Sequence, residues 1–391
     1  MGATSFDVRR TPRYAQTTHA QKAPRFFVPW VTALLIGVFC TIYFFETRVA
    51  LEAGLPSGQP GVRILVVLGG LSRNLLDMGE AYRILSAPLL HSSWAHLIGN
   101  VVVFAFAGIL LEWQVGAAWM FCVFAAGALA GSGMSVLVNL PTTVSVGASG
   151  AIMAMLAALF WISFRLPASR AKTRNQRLVL GLIVSALLPL AHGSGTPTDY
   201  ACHLGGVLLG SVLGLLLLLT WMDGARWPSL RPGAYVLAAC ALFSFASAAN
   251  AVARAYPNYE PLVHLMPDAL VPHTPADVAA KADHLLATYP NDPRSHFTGA
   301  GLDLMNNNPT EAEAELRKAL SLSDAKVGLV YPALNNTIRG LLAQTVLLEG
   351  RTAEARAIAT DACFAQGVNA PPPAIMAQLE KAKLCGFSAT K

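Results

Sequence analysis

The sequence predicts an all-α fold: a polytopic helical membrane protein followed by a soluble α-helical repeat domain. Three observations lead there. Of the 391 residues, 54% are hydrophobic and only 13% are charged, against roughly 25% charged in soluble domains. Several apolar stretches reach the roughly 20 residues that a helix needs to cross the hydrocarbon layer. After residue 253 the composition turns abruptly to that of a soluble chain, with 12 basic and 14 acidic residues. An ordinary soluble enzyme is excluded. The formal charge of +6 comes from residues in short connections between apolar runs. That pattern orients a protein in a membrane and does not point to nucleic acid.

Residues 1–25 carry Arg9, Arg10, Arg13, Lys22 and Arg25 against the single acid Asp7 and read as a basic cytoplasmic arm. The same composition is similar to an organellar transit peptide. Seven spans are predicted, at residues 26–45, 93–113, 116–138, 149–164, 177–192, 201–222 and 234–252. The fourth is the shortest, as expected of a segment that begins below the membrane surface. Residues 46–92 mix apolar runs with Gly, Pro and isolated charges, which predicts partly embedded helices at the outer face. Arg165, Arg170, Lys172, Arg174 and Arg177 place the connection after the fourth span in the cytoplasm. Spans two, four and six then begin on the outer side. His96, Ser149 and His203, each near the start of its span, fall at one depth. The loop at 193–200, GSGTPTDY, reads as a mobile cap over that depth.

In the tail, Ala312 and Ala319 recur as Ala355 and Ala362, at an offset of 43 residues. A weaker early copy holds Ala280 and Ala287, and Lys326 to Asn336 read as an insertion. Small residues at that spacing let paired helices pack closely. The tail resembles a tetratricopeptide-type array, with a plain bundle of helical hairpins as the alternative. An odd number of spans puts it outside, where Cys363 and Cys385 can pair. No cysteine or histidine cluster has zinc spacing, so neither a metal nor another cofactor is expected.

The chemistry gathers on three spans. His96 and Asn100, four residues apart, share a helix face, and ionisable residues inside a span are functional candidates by default. Ser149 stands between small residues in Gly147-Ala148-Ser149-Gly150. His203 is followed by Gly206 and Gly210, and the fourth span offers a matching smooth strip of Gly150, Ala154 and Ala158. Small residues on both helices let the backbones approach, which would bring the serine within reach of a base. His91 and His192 read as interfacial or structural.

Those motifs, in that order on alternate spans, resemble the rhomboid family of intramembrane serine proteases over roughly residues 26–222. Arg83, Gly108 and Glu112 add to the likeness. The resemblance implies that Ser149 is the nucleophile and His203 the general base of a dyad. It also implies that His96, Asn100 and the Ser149 N–H stabilise the oxyanion, with Gly147, Gly150, Met153, Gly206 and Gly210 as structural support. Met153 departs from the aromatic residue that often stacks on the family's histidine, and Cys202 stands where alanine is common. No acid accompanies His203 on its own span, so packing is expected to orient it.

The expected domains are the arm (1–25), a six-span rhomboid-like core (26–222), a linker with the seventh span (223–252) and a tetratricopeptide-like tail (253–391). The expected function is an intramembrane serine endopeptidase cleaving the membrane segments of single-span proteins. The alternative is a non-catalytic relative that binds membrane helices and directs their fate. Expected partners are transmembrane substrates, membrane lipid and a protein partner for the helical repeats. The expected location is a bacterial inner membrane with a periplasmic tail, the alternative being the mitochondrial inner membrane.

Overall fold

The computed structural model describes residues 28–188 and 198–385. The basic arm, His192 and most of the expected cap loop lie outside them. Among the described residues the chain is helical, with one isolated antiparallel bridge between Leu71 and Ser145 in place of any strand.

Helix α1 (Trp30–Glu52) has no side-chain cap of its own. Glu112 closes it from across the bundle, accepting from the Val31 and Thr32 N–H groups at 3.2 and 2.9 Å and from the Thr32 hydroxyl at 2.7 Å. A carboxylate at that end meets the positive pole of the helix, which explains how a fully buried acid is tolerated. The chain then folds as three short helices, α2 (Val62–Val67), α3 (Arg73–Asp77) and α4 (Arg83–Ser86). Buried Arg83 holds them together, donating to the carbonyls of Val66 and Gly70 at 2.7 and 2.9 Å and pairing with Glu80 at 2.5 Å. These are the short helices expected between residues 46 and 92.

Six longer helices follow: α5 (Trp94–Val115), α6 (Ala117–Val138), α7 (Ser149–Ile162), α8 (Arg170–Leu187), α9 (Tyr200–Thr220) and α10 (Arg231–Tyr259). Helices α1, α5, α6, α9 and α10 are long and apolar enough to cross a membrane, and α7 is a shorter apolar helix. Large apolar side chains such as Leu34, Val102, Leu208 and Phe243 point outward from them, where lipid replaces water. This is an integral membrane protein with a helical part outside the bilayer.

Three spans differ from expectation. The first, expected at 26–45, runs from Trp30 to Glu52. The fifth span, expected at 177–192, starts at Arg170, because Ser169 caps it by accepting from the Lys172 N–H, and it ends at Leu187. Its first half is therefore charged. The seventh, expected at 234–252, continues to Tyr259. The helix thus runs through residue 253, where the tail was expected to begin.

The tail comprises α11 (Pro275–Thr288), α12 (Pro293–Met305), α13 (Pro309–Leu322), α14 (Ala325–Val330), α15 (Leu334–Leu348), α16 (Thr352–Phe364) and α17 (Pro373–Lys381). Ala312, Ala319, Ala355 and Ala362 are fully buried where α12–α13 and α15–α16 close as hairpins. The early copy is in a different register. Ala280 and Ala287 are exposed, and Ala282 with Leu285 forms the buried stripe of α11, which packs mainly on α12. The inserted stretch contains α14, whose Val327 joins a core with Ile64, Val66 and Leu262. Cys363 and Cys385 are bonded, with Cα atoms 5.5 Å apart.

Candidate active site

The site is built where α7 and α9 cross. A Cβ added to Gly206 would overlap the Gly150 carbonyl, and one added to Gly210 would overlap the main chain of Ala154. One turn further, a Cβ at Gly214 would lie 2.6 Å from the Ala158 Cα. Backbone contact on this scale requires small residues on both helices. The strip of Gly150, Ala154 and Ala158 therefore meets Gly206 and Gly210 as the spacing predicts, and Gly214 extends the seam. On the other side of α7, a Cβ at Gly131 would stand 3.1 Å from the Gly150 Cα and 2.9 Å from the Cys202 sulfur. Cys202 fills the gap between α6, α7 and α9. With these three helices fixed, Ser149 and His203 both lie in the first turn of their helices at the same end of the seam.

Gly147 adopts φ +116°, a conformation that L side chains rarely accept. It is also crowded: a Cβ there would sit 2.7 Å from His96 Nε2 and 3.6 Å from Asn100 Nδ2. The Gly147 N–H donates to the Ala87 carbonyl at 3.0 Å, holding the turn against the segment after α4. Two donors from α5 thus face the turn that introduces Ser149. The His96 Nδ1 is 3.2 Å from the Ser92 hydroxyl. With Ser92 donating to it, Nε2 carries the proton toward Gly147. The Asn100 Nδ2 is buried and has no hydrogen-bond partner among the described residues. Helix α7 has no side-chain cap, so its first N–H groups and the positive end of its dipole also point into this space.

His203 is largely buried, and its Nδ1 lies 2.8 Å from the Ala186 carbonyl of α8. Asp199 caps α9 by accepting from the Cys202 N–H at 2.9 Å. It also accepts from Ser135 and Ser145 at 2.6 Å each and from Asn139 at 2.9 Å. Burial alone would raise its pKa, but these four hydrogen bonds outweigh burial and hold the carboxyl below the usual range. Asp199 thereby ties the end of α6 and the approach to Ser149 onto the helix that carries His203. Sequence reading passed over both contacts. Asp199 precedes its span, and a main-chain carbonyl leaves no mark in the sequence; the available signal was an acid in N-cap position.

Met153 is buried one turn below Ser149. His91 is fully buried, and neither ring nitrogen has a hydrogen-bond partner among the described residues; its ring lies edge-on to His96 at 5.2 Å between centroids. A small cleft lined by Leu110, Gln114, Phe160 and Gln176 lies at the other end of α7, about 16 Å from Ser149 by helical rise. It has no part in the site.

Comparison with known proteins adds to this geometry. Residues 78–220 match the Rhomboid domain family. The chain is 32% identical over 177 residues to RHOMBOID-like protein 5 of Arabidopsis thaliana, covering 45% of this chain and 57% of that one. It is 29% identical over 255 residues to RHOMBOID-like protein 7 of the same plant, covering 58% and 78%. With Rhomboid protease GluP of Bacillus subtilis (strain 168) it shares 27% over 183 residues, or 46% and 34%. Of RHOMBOID-like proteins 5 and 4 the chain spans only 57% and 44% of the length. These matches support the rhomboid family for the segment that holds Ser149 and His203.

Proposed function

We propose that the chain is an intramembrane serine endopeptidase that cleaves single-span membrane proteins through a Ser149–His203 dyad. The observation that carries this reading is the convergence at Gly147. The donors of His96 and Asn100 face the Gly147 turn two residues before Ser149, and α7 opens on that serine with α9 packed against it. Support also comes from the Rhomboid domain match and from the likeness to a relative named as a protease.

In this reading His203 Nε2 takes the proton of the Ser149 hydroxyl as its oxygen attacks the scissile carbonyl. The oxyanion that forms is met by His96 Nε2–H, Asn100 Nδ2–H and the Ser149 N–H, all placed before the charge develops. His203 then gives its proton to the leaving amine, and water hydrolyses the acyl-enzyme by the reverse sequence. The substrate backbone must first unwind, since helical carbonyls are already hydrogen-bonded. Gly, Ala, Ser or Pro near the outer end of the substrate helix eases that step.

In this reading the site mouth and the tail lie on one side of the membrane, which is supported by α10 ending beside α4 and α7 beginning beside the segment that follows α4. The basic connection at 165–177 assigns the other side to the cytoplasm. Tail and mouth are then extracytoplasmic, in a bacterial periplasm or its mitochondrial counterpart, which suits the disulfide. The hairpin tail acts as a tetratricopeptide-like surface for a protein partner or for substrates. The test is cleavage of a tagged single-span substrate in membranes, comparing wild type with Ser149→Ala and His203→Ala at equal expression. Cutting by wild type alone supports the dyad. Equal cutting by all three sinks it, and no cutting across a varied substrate panel favours a non-catalytic helix-binding protein.

A further inference from the structure

We propose that the Ala186 main-chain carbonyl, at the open end of α8, orients His203 and fixes its tautomer. Helix α8 thereby supplies through its backbone what the acid of a serine-protease triad supplies through a side chain. This rests on the reading of Ser149 and His203 as the dyad. A carbonyl oxygen only accepts, so the 2.8 Å contact assigns the proton of neutral His203 to Nδ1. Nε2 is then left with the lone pair that a base needs. Ala186 is placed to give this bond because it lies in the last turn of α8, where carbonyls have no partner inside the helix. Two residues earlier the Val184 carbonyl is already taken by the Leu188 N–H. The same helix end carries partial negative charge, which favours the imidazolium formed when His203 takes the serine proton.

The carboxylate nearest in sequence does not compete for this role. Asp199 has its oxygens committed to Ser135, Asn139, Ser145 and the Cys202 N–H. Helix α8 is lightly seated, burying only Val179 and Ile183. The orientation of the base is therefore as firm as that seat, and displacing α8 releases the ring.

The experiment is backbone substitution in the full-length protein in membranes. An α-hydroxy acid replacing Leu187 turns the 186–187 amide into an ester and weakens the Ala186 carbonyl as an acceptor. The same change at Ser185 weakens the Val184 carbonyl and serves as a helix control. Expected for the Leu187 ester is roughly tenfold lower kcat with KM unchanged, with slower fluorophosphonate labelling of Ser149 and little effect from the control. In parallel, Nδ-methylhistidine at position 203, which keeps Nε2 but cannot donate to Ala186, should lower kcat on the order of 100-fold while substrate is still captured. Equal rates for the two esters, or full activity with the methylated ring, overturn the proposal. Loss of the dyad reading looks different: Ser149→Ala would then still cut.

Discussion

Gly147 shows how much a single residue carries. Its positive φ excludes most side chains, and the 2.7 Å approach of His96 excludes even a methyl group. Gly147→Ala is expected to push His96 and the turn apart, lowering kcat on the order of 100- to 1000-fold, the loss typical of one displaced oxyanion donor. Unchanged turnover with an intact thermal transition would remove His96 from the site. Asn100→Ala should lower kcat similarly without raising KM, since the donor acts on charge that exists only in the transition state. Asp199 makes a pH prediction. Its folded pKa is depressed, so the stability it adds is complete above the unfolded value of about 3.9 and disappears on acidification. Asp199→Asn should therefore melt a few degrees below wild type at neutral pH, with the gap closing below about pH 4. A gap constant with pH would show that the charge is not what matters. Among these residues, Gly147 and His96 were legible as motif members. Asp199 was not, because its partners lie about 55 to 65 positions away in sequence and meet it only through folding.

At the scale of elements, the α7–α9 seam was readable because the physics is one-dimensional: small residues four apart on two apolar helices permit backbone contact whatever lies around them. Helix α8 was not readable in the same way. Its charged first half reads as a connection, and only the cap at Ser169 shows that the helix has begun. In α11 the alternation of alanines supported two registers, and packing against α12 selected Ala282 over Ala280. The light seating of α8 leads to a prediction at this scale. Ile183→Ala removes one of its two buried anchors and should reduce kcat more than global stability, because the Ala186 carbonyl moves with the helix. Cleavage rate and detergent melting temperature, measured together, decide it. A fall in melting temperature with unchanged kcat would mean that α8 holds the fold without holding the base.

For the whole molecule the open question is how the membrane bundle and the tail hold together, and two arginines answer it. Arg63 of α2 donates to the carbonyls of Leu265 and Met266 at 2.7 and 3.3 Å, and to that of Ala53 at 3.2 Å. Arg294 of α12 also donates to the Met266 carbonyl and pairs with Asp268 at 2.6 Å and Asp292 at 2.8 Å. The segment between bundle and tail is thus gripped from both sides, with Tyr259 bonded to Glu80 at 2.8 Å beside it. Composition marked a boundary near residue 253 because hydropathy changes there. The mechanical joint lies later, at Leu265 and Met266, because carbonyl groups rather than side chains form it. Arg63→Ala leaves the buried Leu265 and Ala53 carbonyls without their charged donor while Met266 keeps Arg294, and each such loss costs about 1–3 kcal/mol. The tail should then detach locally while both parts stay folded. Limited proteolysis at the exposed stretch around His273 and Thr274 should quicken several-fold, with the Cys363–Cys385 bond and the melting of the bundle unchanged. If cleavage of a membrane substrate falls in the same variant, the tail positions substrate for the site; if proteolysis quickens and cleavage does not change, it serves another partner. Unchanged proteolysis would mean that the apolar contact of Val327 with Ile64 and Val66 suffices to hold the tail.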